Sequence, residues 1–339
     1  MKDLKSIQAL RAVAALLVVT FHAFQWLGDP FWIGAAGVDI FFVISGFIMW
    51  TVTADATLSP QRFLWRRLTR VAPSYWLMTL AVAAVAIADP NFLGQVTVTP
   101  RHLLLSLAFI QHTDPRGLPF PLLPPGWTLN YEAMFYVIFA ACLWLAPARR
   151  IWALTVGLSL LSATGMAISH SYELGANPEM MQFAAGAWIG KLRSDGLSPS
   201  RWAGLGLIGV GVAALAALWA ARFQSDLLRP ILWGAPATAI VAGAVALEGA
   251  VRRGVWRGIL RLGDASYAIY LCHLPATALV AHSIGSGRTM VFVPIAIMAS
   301  VTTGLLFHLS IEKPMIQLCR AMPRFARPRP LGAAGGKVP

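Results

Sequence analysis

The chain has 339 residues, of which 57% are hydrophobic and only 12% are charged, and its formal net charge is +13. This composition excludes an ordinary soluble domain and is typical of a polytopic membrane protein. The positive charge would favour nucleic-acid binding in a soluble protein, but here the basic residues cluster between apolar runs. We therefore expect the lipid bilayer as a partner, and no nucleic acid.

Apolar runs of spanning or near-spanning length predict about ten transmembrane helices. A further run, 103–110, is too short to cross, so we expect it to be interfacial or re-entrant. The ten predicted spans lie at 6–26, 34–53, 71–88, 127–146, 151–169, 179–190, 203–221, 230–249, 263–284 and 289–310.

The distribution of basic residues predicts the orientation of these spans. Ten crossings place both termini on one side of the membrane, and the positive-inside rule makes that side cytoplasmic. All but five of the 27 basic residues then lie inside; the exceptions are Arg101, Arg116, Arg222, Arg229 and Arg288. The predicted fold class is an all-α polytopic membrane protein, with one membrane domain over 1–318 and a basic cytoplasmic tail over 319–339.

Two ionisable residues, Arg11 and His22, occur within the first predicted span. Their spacing of eleven residues places both on one helix face, about 16 Å apart. Buried charges in a membrane are costly and normally face a protein interior or a wet cavity, which favours a functional role. The alternative is an arginine that extends to the inner surface and a histidine that only ends the helix.

The second span opens with GVDIFFVISGF at 37–47, which contains Asp39 near its outer end and Ser45 deeper in. We expect Asp39 to lie at the depth of His22 and to orient it across a helix interface. The alternative is an aspartate that only favours the helix dipole. Gly37 and Gly46 are expected to allow close helix approach.

The first inner loop reads RRLTRVAPSYW at 66–76, and we expect Pro73 to start the third span. Arg66 and Arg70 share a helix face, and such guanidinium groups bind phosphate oxygens bidentately. The alternative is ordinary cytoplasmic anchoring, with Tyr75 in the aromatic belt. Arg150 is equally basic but outside this motif, so we expect its loss to have little effect.

Further polar residues occur within the fourth and ninth spans. Glu132 lies about one turn into the fourth, with no basic partner at helical spacing, and we expect it on the outer side, level with His22 and Asp39. In the ninth, Tyr270 precedes His273, which either functions or satisfies carbonyl groups freed near Pro275. Glu179 lies in a loop, where we expect solvation.

The three cysteines, Cys142, Cys272 and Cys319, are too few and too scattered for a disulfide framework and lack the spacing of metal ligands. We therefore expect free thiols and no metal cofactor.

Five stretches in order carry a family resemblance. They are Arg11 with ten residues before His22, GVDIFFVISGF, RRLTRVAPSYW, WTLNYEAMFY and GDASYAIYLCHLP, followed by Glu312-Lys313-Pro314. The set resembles the acyltransferase 3 family of bacterial integral-membrane acyltransferases over nearly the whole chain. The resemblance implies acyl transfer, usually of acetyl from acetyl-CoA, to hydroxyls of surface glycans or small molecules. It assigns an essential role to Arg11 and His22 and implicates Arg67 and Arg70 in handling the donor.

Residues and resemblance together predict a mechanism. We expect His22 to act as general base, with Asp39 or Glu132 orienting it and Arg11 holding donor charge. We expect Arg66, Arg67, Arg70 and Tyr75 to bind the donor on the inner side. A polar path lined by Arg11, Ser45, Tyr270 and His273 would join this motif to the outer face. An acyl-histidine intermediate is an open alternative.

The expected acceptor is an exopolysaccharide or lipopolysaccharide sugar at the bacterial inner membrane, and a macrolide-like small molecule is the alternative. The chain lacks the additional soluble domain of some family members, which argues against subtypes that need it. A proton-coupled transporter predicts internal repeats, which are not visible here. A membrane scaffold gives no reason for buried charges.

Overall fold

The computed structural model describes residues 4–28, 31–54, 58–93, 96–168, 177–223, 228–251, 256–285 and 289–321. Within these ranges the chain is helical and has no β-strand. The α-helices are α1 (Lys5–Gln25), α2 (Ala36–Thr53), α3 (Pro60–Ala88), α4 (Pro100–Leu107), α5 (Gly126–Cys142), α6 (Pro147–Ile168), α7 (Met181–Ser194), α8 (Arg201–Ala220), α9 (Arg229–Leu232), α10 (Gly234–Ala246), α11 (Arg257–Asp264), α12 (Ser266–Ile284), α13 (Thr289–Phe307) and α14 (Lys313–Ala321). A π-helical turn, His308–Glu312, joins α13 to α14.

Helices occupy the predicted apolar runs, and the run at 103–110, expected to be interfacial or re-entrant, overlaps the eight-residue helix α4. In the described part of the chain, six segments are long and apolar enough to cross a membrane: Lys5–Gln25, Trp32–Thr53, Pro60–Ala88, Arg201–Ala220, Ser266–Ile284 and Val291–Cys319. Helices α7 and α10 have only 14 and 13 residues, fewer than the roughly 20 that a bilayer core requires. The all-helical class is confirmed, whereas ten crossings and cytoplasmic termini stay predictions. The tail predicted over 319–339 lies mostly outside the described residues.

Helix α3 begins well before the predicted third span. The Ser59 hydroxyl accepts a hydrogen bond from the Arg62 amide, and Pro60 occupies the first turn, where a missing N–H costs nothing. Pro73 lies inside the helix, so the expectation that it starts the span is wrong. Neighbouring groups satisfy the backbone around an internal proline in membrane helices. The arginine motif therefore belongs to the spanning helix itself.

Helix α1 lies at the centre of the fold, where it packs against α2, α10, α11, α12 and α13. Its first turn is capped by a residue that is distant in sequence: the Glu248 carboxylate accepts hydrogen bonds from the amides of Lys5 and Ser6 at 3.0 and 2.8 Å. Gly263 of α11 allows close contact there, since a Cβ at this position would lie 2.0 Å from the Gln8 carbonyl oxygen. These contacts fix the segment that carries Arg11.

Glycine contacts place α2 close to both α1 and α7. A Cβ on Gly37 would lie 2.3 Å from the Ala14 carbonyl oxygen, and a Cβ on Gly46 would lie 1.9 Å from that of Phe183. On α7, a Cβ on Gly186 would likewise lie 1.9 Å from the Val43 carbonyl oxygen. The predicted close approach at Gly37 and Gly46 is confirmed, and it brings the start of α7 next to Asp39.

Arg150 has a structural role that its sequence position did not indicate. Its side chain is buried, donates to the carbonyl oxygens of Thr53 and Leu145 at 3.4 and 3.3 Å, and lies over the Trp50 ring. Removing it would leave carbonyl groups unpaired inside the protein, so Arg150 is unsuitable as a control for the arginine motif. Its neighbour Arg149 is exposed and makes a better control.

Candidate active site

A large cavity lies among α1, α2, α3, α5, α12 and the π-turn with the start of α14. Its volume is about 1040 Å³, which is in the upper range for a ligand site. Most of the predicted site residues line it: Arg11, Ser45, Arg66, Arg67, Arg70, Glu132 and Tyr270. The other four, His22, Asp39, Tyr75 and His273, lie outside its wall.

The wall of the cavity is strongly basic. The cations on it are Arg11, Arg62, Arg66, Arg67, Arg70 and Lys313. Among the described residues, none of these six forms an ion pair; the ion pairs there involve other cations. The acidic residues of the lining are Asp264, Glu132 and Glu312. A concave surface with this excess of unpaired guanidinium groups is suited to an anion with several phosphate oxygens.

Arg11 is held in the cavity by a polar chain. Its guanidinium donates to the Gln8 side-chain oxygen at 3.1 Å, and the Gln8 amide nitrogen donates in turn to the Asp264 carboxylate. Gln8 thus relays the negative charge of Asp264 to Arg11 without a direct ion pair. The arrangement positions the cation while leaving its remaining N–H groups available.

Glu132 lies in the cavity together with Arg11, not level with His22. Its carboxylate accepts from the Ser45 hydroxyl at 2.8 Å and from the Tyr136 hydroxyl. It is one turn further along α5 than Thr128, whose hydroxyl is 2.9 Å from that of Tyr270. Both bonds are accepted by Oε1, and the contacts that orient the His22 ring come from Val18 and His273, so the structure does not show Glu132 orienting His22.

Tyr270 connects the cavity to a pair of histidines. Its hydroxyl donates to the Pro125 carbonyl at 3.1 Å, which fixes the ring in the cavity wall. The same ring lies 5.7 Å from that of His273, and the His273 ring lies 4.8 Å from that of His22, centroid to centroid. His273 is completely buried and does not line the cavity itself, so its place on the donor path stays a prediction. It contacts His22.

Asp39 belongs to a separate buried ion network. Its carboxylate, only 1% exposed, accepts from Gln182 at 2.5 Å and from the Arg229 guanidinium at 3.0 Å. Arg229 also pairs with Glu179 at 2.8 Å. Asp39 therefore does not orient His22, and Glu179 is buried, not solvated. A charge pair between α2 and the start of α9 holds the helices around the site together.

Tyr75 also lies away from the cavity. It is about four turns into α3 because that helix begins at Pro60, and it is fully buried against the Phe109 ring, 4.9 Å between centroids. Gly126 makes room for it, since a Cβ there would lie 2.6 Å from the Tyr75 hydroxyl. The prediction that Tyr75 handles the donor is wrong; the residue packs in the core.

Several cavity residues were missed as site candidates. Gln8 and Tyr136 position Arg11 and Glu132, and His308 of the π-turn lies 2.7 Å from Glu312, with Lys313 beside them. Tyr136 follows Glu132 by four residues, the spacing that places two side chains on the same helix face, so this pair could have been found from the sequence. The π-turn contacts depend on the packing of distant helices.

A family model described as an acyltransferase domain matches residues 4–309, which include every residue of the cavity wall except Glu312 and those of α14. The chain belongs to the acyltransferase 3 family. The resemblance seen in the sequence is thereby confirmed, and with it the general class: a multi-pass membrane acyltransferase.

Three relatives of the family show how far the similarity extends. The exopolysaccharide production protein ExoZ of Rhizobium meliloti is 35% identical over 89% of this chain and 95% of its own length. The acyltransferase MdmB of Streptomyces mycarofaciens is 26% identical over 98% of this chain and 95% of its own. The peptidoglycan O-acetyltransferase OatA of Listeria monocytogenes is 30% identical, but over 54% of this chain and 31% of its own. No solved structure matches the chain.

Proposed function

We propose that this protein transfers an acetyl group from acetyl-CoA to a hydroxyl of a cell-surface polysaccharide, within a bacterial cytoplasmic membrane. The proposal that the donor is a coenzyme A thioester rests on the basic wall of the cavity, whose arginines form no ion pair with an acidic residue in the described part of the chain. Coenzyme A carries a diphosphate and a 3′-phosphate, and an acyltransferase needs an activated donor. Bidentate arginine contacts suit these phosphates.

The binding of its phosphate groups is proposed to set the orientation of the donor in the cavity. Arg66, Arg67 and Arg70 lie on the same stretch of α3 and are proposed to bind the phosphates. The long pantetheine arm then extends toward Tyr270, at the end of the cavity that adjoins the histidine pair. Arg11, fixed by Gln8, is proposed to contribute positive charge near the arm.

His22 is proposed to act as general base. It takes the proton from the acceptor hydroxyl, whose oxygen attacks the thioester carbonyl carbon. The carbon–sulfur bond breaks, the acceptor gains an ester, and the departing thiolate receives the proton from His22. No external acid, base or reductant is needed, so His22 returns to its neutral form at each turnover.

The acceptor is proposed to be an exopolysaccharide or lipopolysaccharide sugar. Support comes from the similarity to ExoZ, which is named for exopolysaccharide production and which the match covers almost end to end. OatA, named as a peptidoglycan O-acetyltransferase, supports transfer to a glycan hydroxyl.

Arg70→Ala and Arg67→Ala should each weaken binding of coenzyme A about 10- to 100-fold, which corresponds to one lost charge-assisted contact of about 1.5 to 3 kcal/mol. The measurement is a binding isotherm of coenzyme A on the purified protein in detergent.

Arg149→Ala is the matched control, because Arg149 is a basic, exposed residue of α6 outside the cavity. It should bind coenzyme A like the unmodified protein. Equal affinities in all three variants would refute the donor site and leave the α3 arginines as membrane anchors.

Deletion of the protein should remove ester-linked acetate from a surface polysaccharide of the bacterium. The purified exopolysaccharide and lipopolysaccharide of the deletion strain and its parent are treated with alkali, and the released acetate is measured. Restoring the coding sequence should restore the acetate. Unchanged acetate in both polymers would refute the proposed acceptor class.

A further inference from the structure

His22 and His273 form a side-chain pair between α1 and α12. His22 Nδ1 lies 3.2 Å from His273 Nε2, and the two ring planes are inclined at 55°. The residues are 251 positions apart in sequence, so only the packing of the two helices brings them together. The mechanism above uses His22 alone and gives His273 no task.

The hydrogen bonds of His273 fix its protonation pattern. Its Nδ1 lies 2.6 Å from the carbonyl oxygen of Tyr270, and a carbonyl oxygen can only accept. The proton of a neutral His273 is therefore on Nδ1, and its Nε2 carries a lone pair. His273 is 0% exposed, so that lone pair has no access to water and faces His22.

The same reasoning fixes His22. Its Nδ1 lies 3.0 Å from the Val18 carbonyl oxygen and 3.2 Å from the lone pair of His273. Both are acceptors, so His22 Nδ1 carries the proton and shares it between them. The lone pair of His22 is then on Nε2, the nitrogen that neither Val18 nor His273 contacts.

We infer that His273 is a positioning residue, which holds His22 in the tautomer whose basic nitrogen is Nε2 and stabilises the imidazolium that forms when His22 accepts the acceptor's proton. The inference rests on the proposed function of His22. When Nε2 takes the proton, the Nδ1–H bonds to Val18 and His273 are retained and become charge-assisted.

A neutral histidine in this position fills the role that a carboxylate often has beside a catalytic histidine. Both carboxylates expected to orient His22 are engaged elsewhere, Asp39 with Gln182 and Arg229, and Glu132 with Ser45 and Tyr136. A neutral orienting group avoids a further buried charge at this depth of the protein.

Two amide substitutions separate this role from a structural one. In His273→Gln the amide lies near the position of Nε2, so its oxygen can still accept from His22. In His273→Asn the amide lies near the position of Nδ1, so the bond to Tyr270 is retained but the acceptor for His22 is lost. The experiment measures kcat and KM for acetyl transfer, and coenzyme A binding, for both variants in proteoliposomes.

We expect His273→Asn to lower kcat about 10- to 100-fold with unchanged KM for acetyl-CoA and unchanged coenzyme A binding. His273→Gln should keep a kcat close to that of the unmodified protein. The reverse order, equal losses in both variants, or no loss in either would overturn the inference.

The same assay on His22→Ala distinguishes failure of this inference from failure of the proposed function. An inactive His22→Ala beside a fully active His273→Asn would refute only the positioning role. An active His22→Ala would refute the base itself.

Discussion

Replacing His22 by alanine is expected to lower the rate of acetyl transfer by about 10²- to 10⁴-fold, the usual contribution of a general base. His22 keeps one ring nitrogen, Nε2, that neither Val18 nor His273 contacts, and its ring adjoins that of His273, which in turn lies 5.7 Å from the Tyr270 ring of the cavity lining. The variant is measured as acetyl transfer from acetyl-CoA to purified polysaccharide by protein reconstituted in liposomes. Coenzyme A binding should be unchanged, because the α3 arginines are intact.

His282→Ala is the matched control for this loss. His282 lies on α12 like His273, but it is exposed, and its ring lies 5.0 Å from that of Phe92, centroid to centroid. Its removal should leave turnover unchanged. Normal turnover of His22→Ala, with normal abundance in the membrane, would show that another group activates the acceptor.

Much of the fold could be predicted because its signals are local. Runs of apolar residues indicated the helices, and the pattern of Gly37 and Gly46 indicated where backbones meet. The predicted beginning of the third helix is too late, because Pro73 fits a first-turn proline, whereas Ser59 and Pro60 provide the same signal earlier. Tyr75, expected on the inner side near the start of the helix, instead lies about four turns into α3 and is fully buried.

The site shows the same division between local and distant information. Helical spacing was enough to place Arg66 and Arg70 on one wall, and burial cost was enough to single out Arg11. The partner of Asp39, Arg229, lies 190 residues away, and the partner of His22 lies 251 residues away. No sequence periodicity indicates such distant pairs. Only the depth of each residue along its own helix suggests which side chains meet, and that criterion pairs Asp39 and Glu132 with His22, which is not what the structure shows.

Acetyl-CoA supplied on the cytoplasmic face alone should acetylate a polysaccharide enclosed on the opposite face. All but five of the basic residues were assigned to the cytoplasmic side, which places the α3 arginines there. His22 lies about 25 Å beyond Lys5 along α1, toward the other face. On the predicted orientation, the cavity arginines face the cytoplasm and the histidine pair lies toward the opposite face, with Tyr270 of the cavity lining next to His273.

Sealed proteoliposomes in which the protein has one known orientation provide the test. Labelled acetyl-CoA is added to the face that carries Lys5 and Lys313, and labelled acetate on the enclosed polysaccharide is measured. Arg70→Ala, with its weakened donor site, is the control and should transfer far less label at low donor concentration. Transfer that occurs only when donor and polysaccharide share the cytoplasmic face would contradict the arrangement, since the acceptor would then be modified before export and His22 would have to be reached from the cavity side.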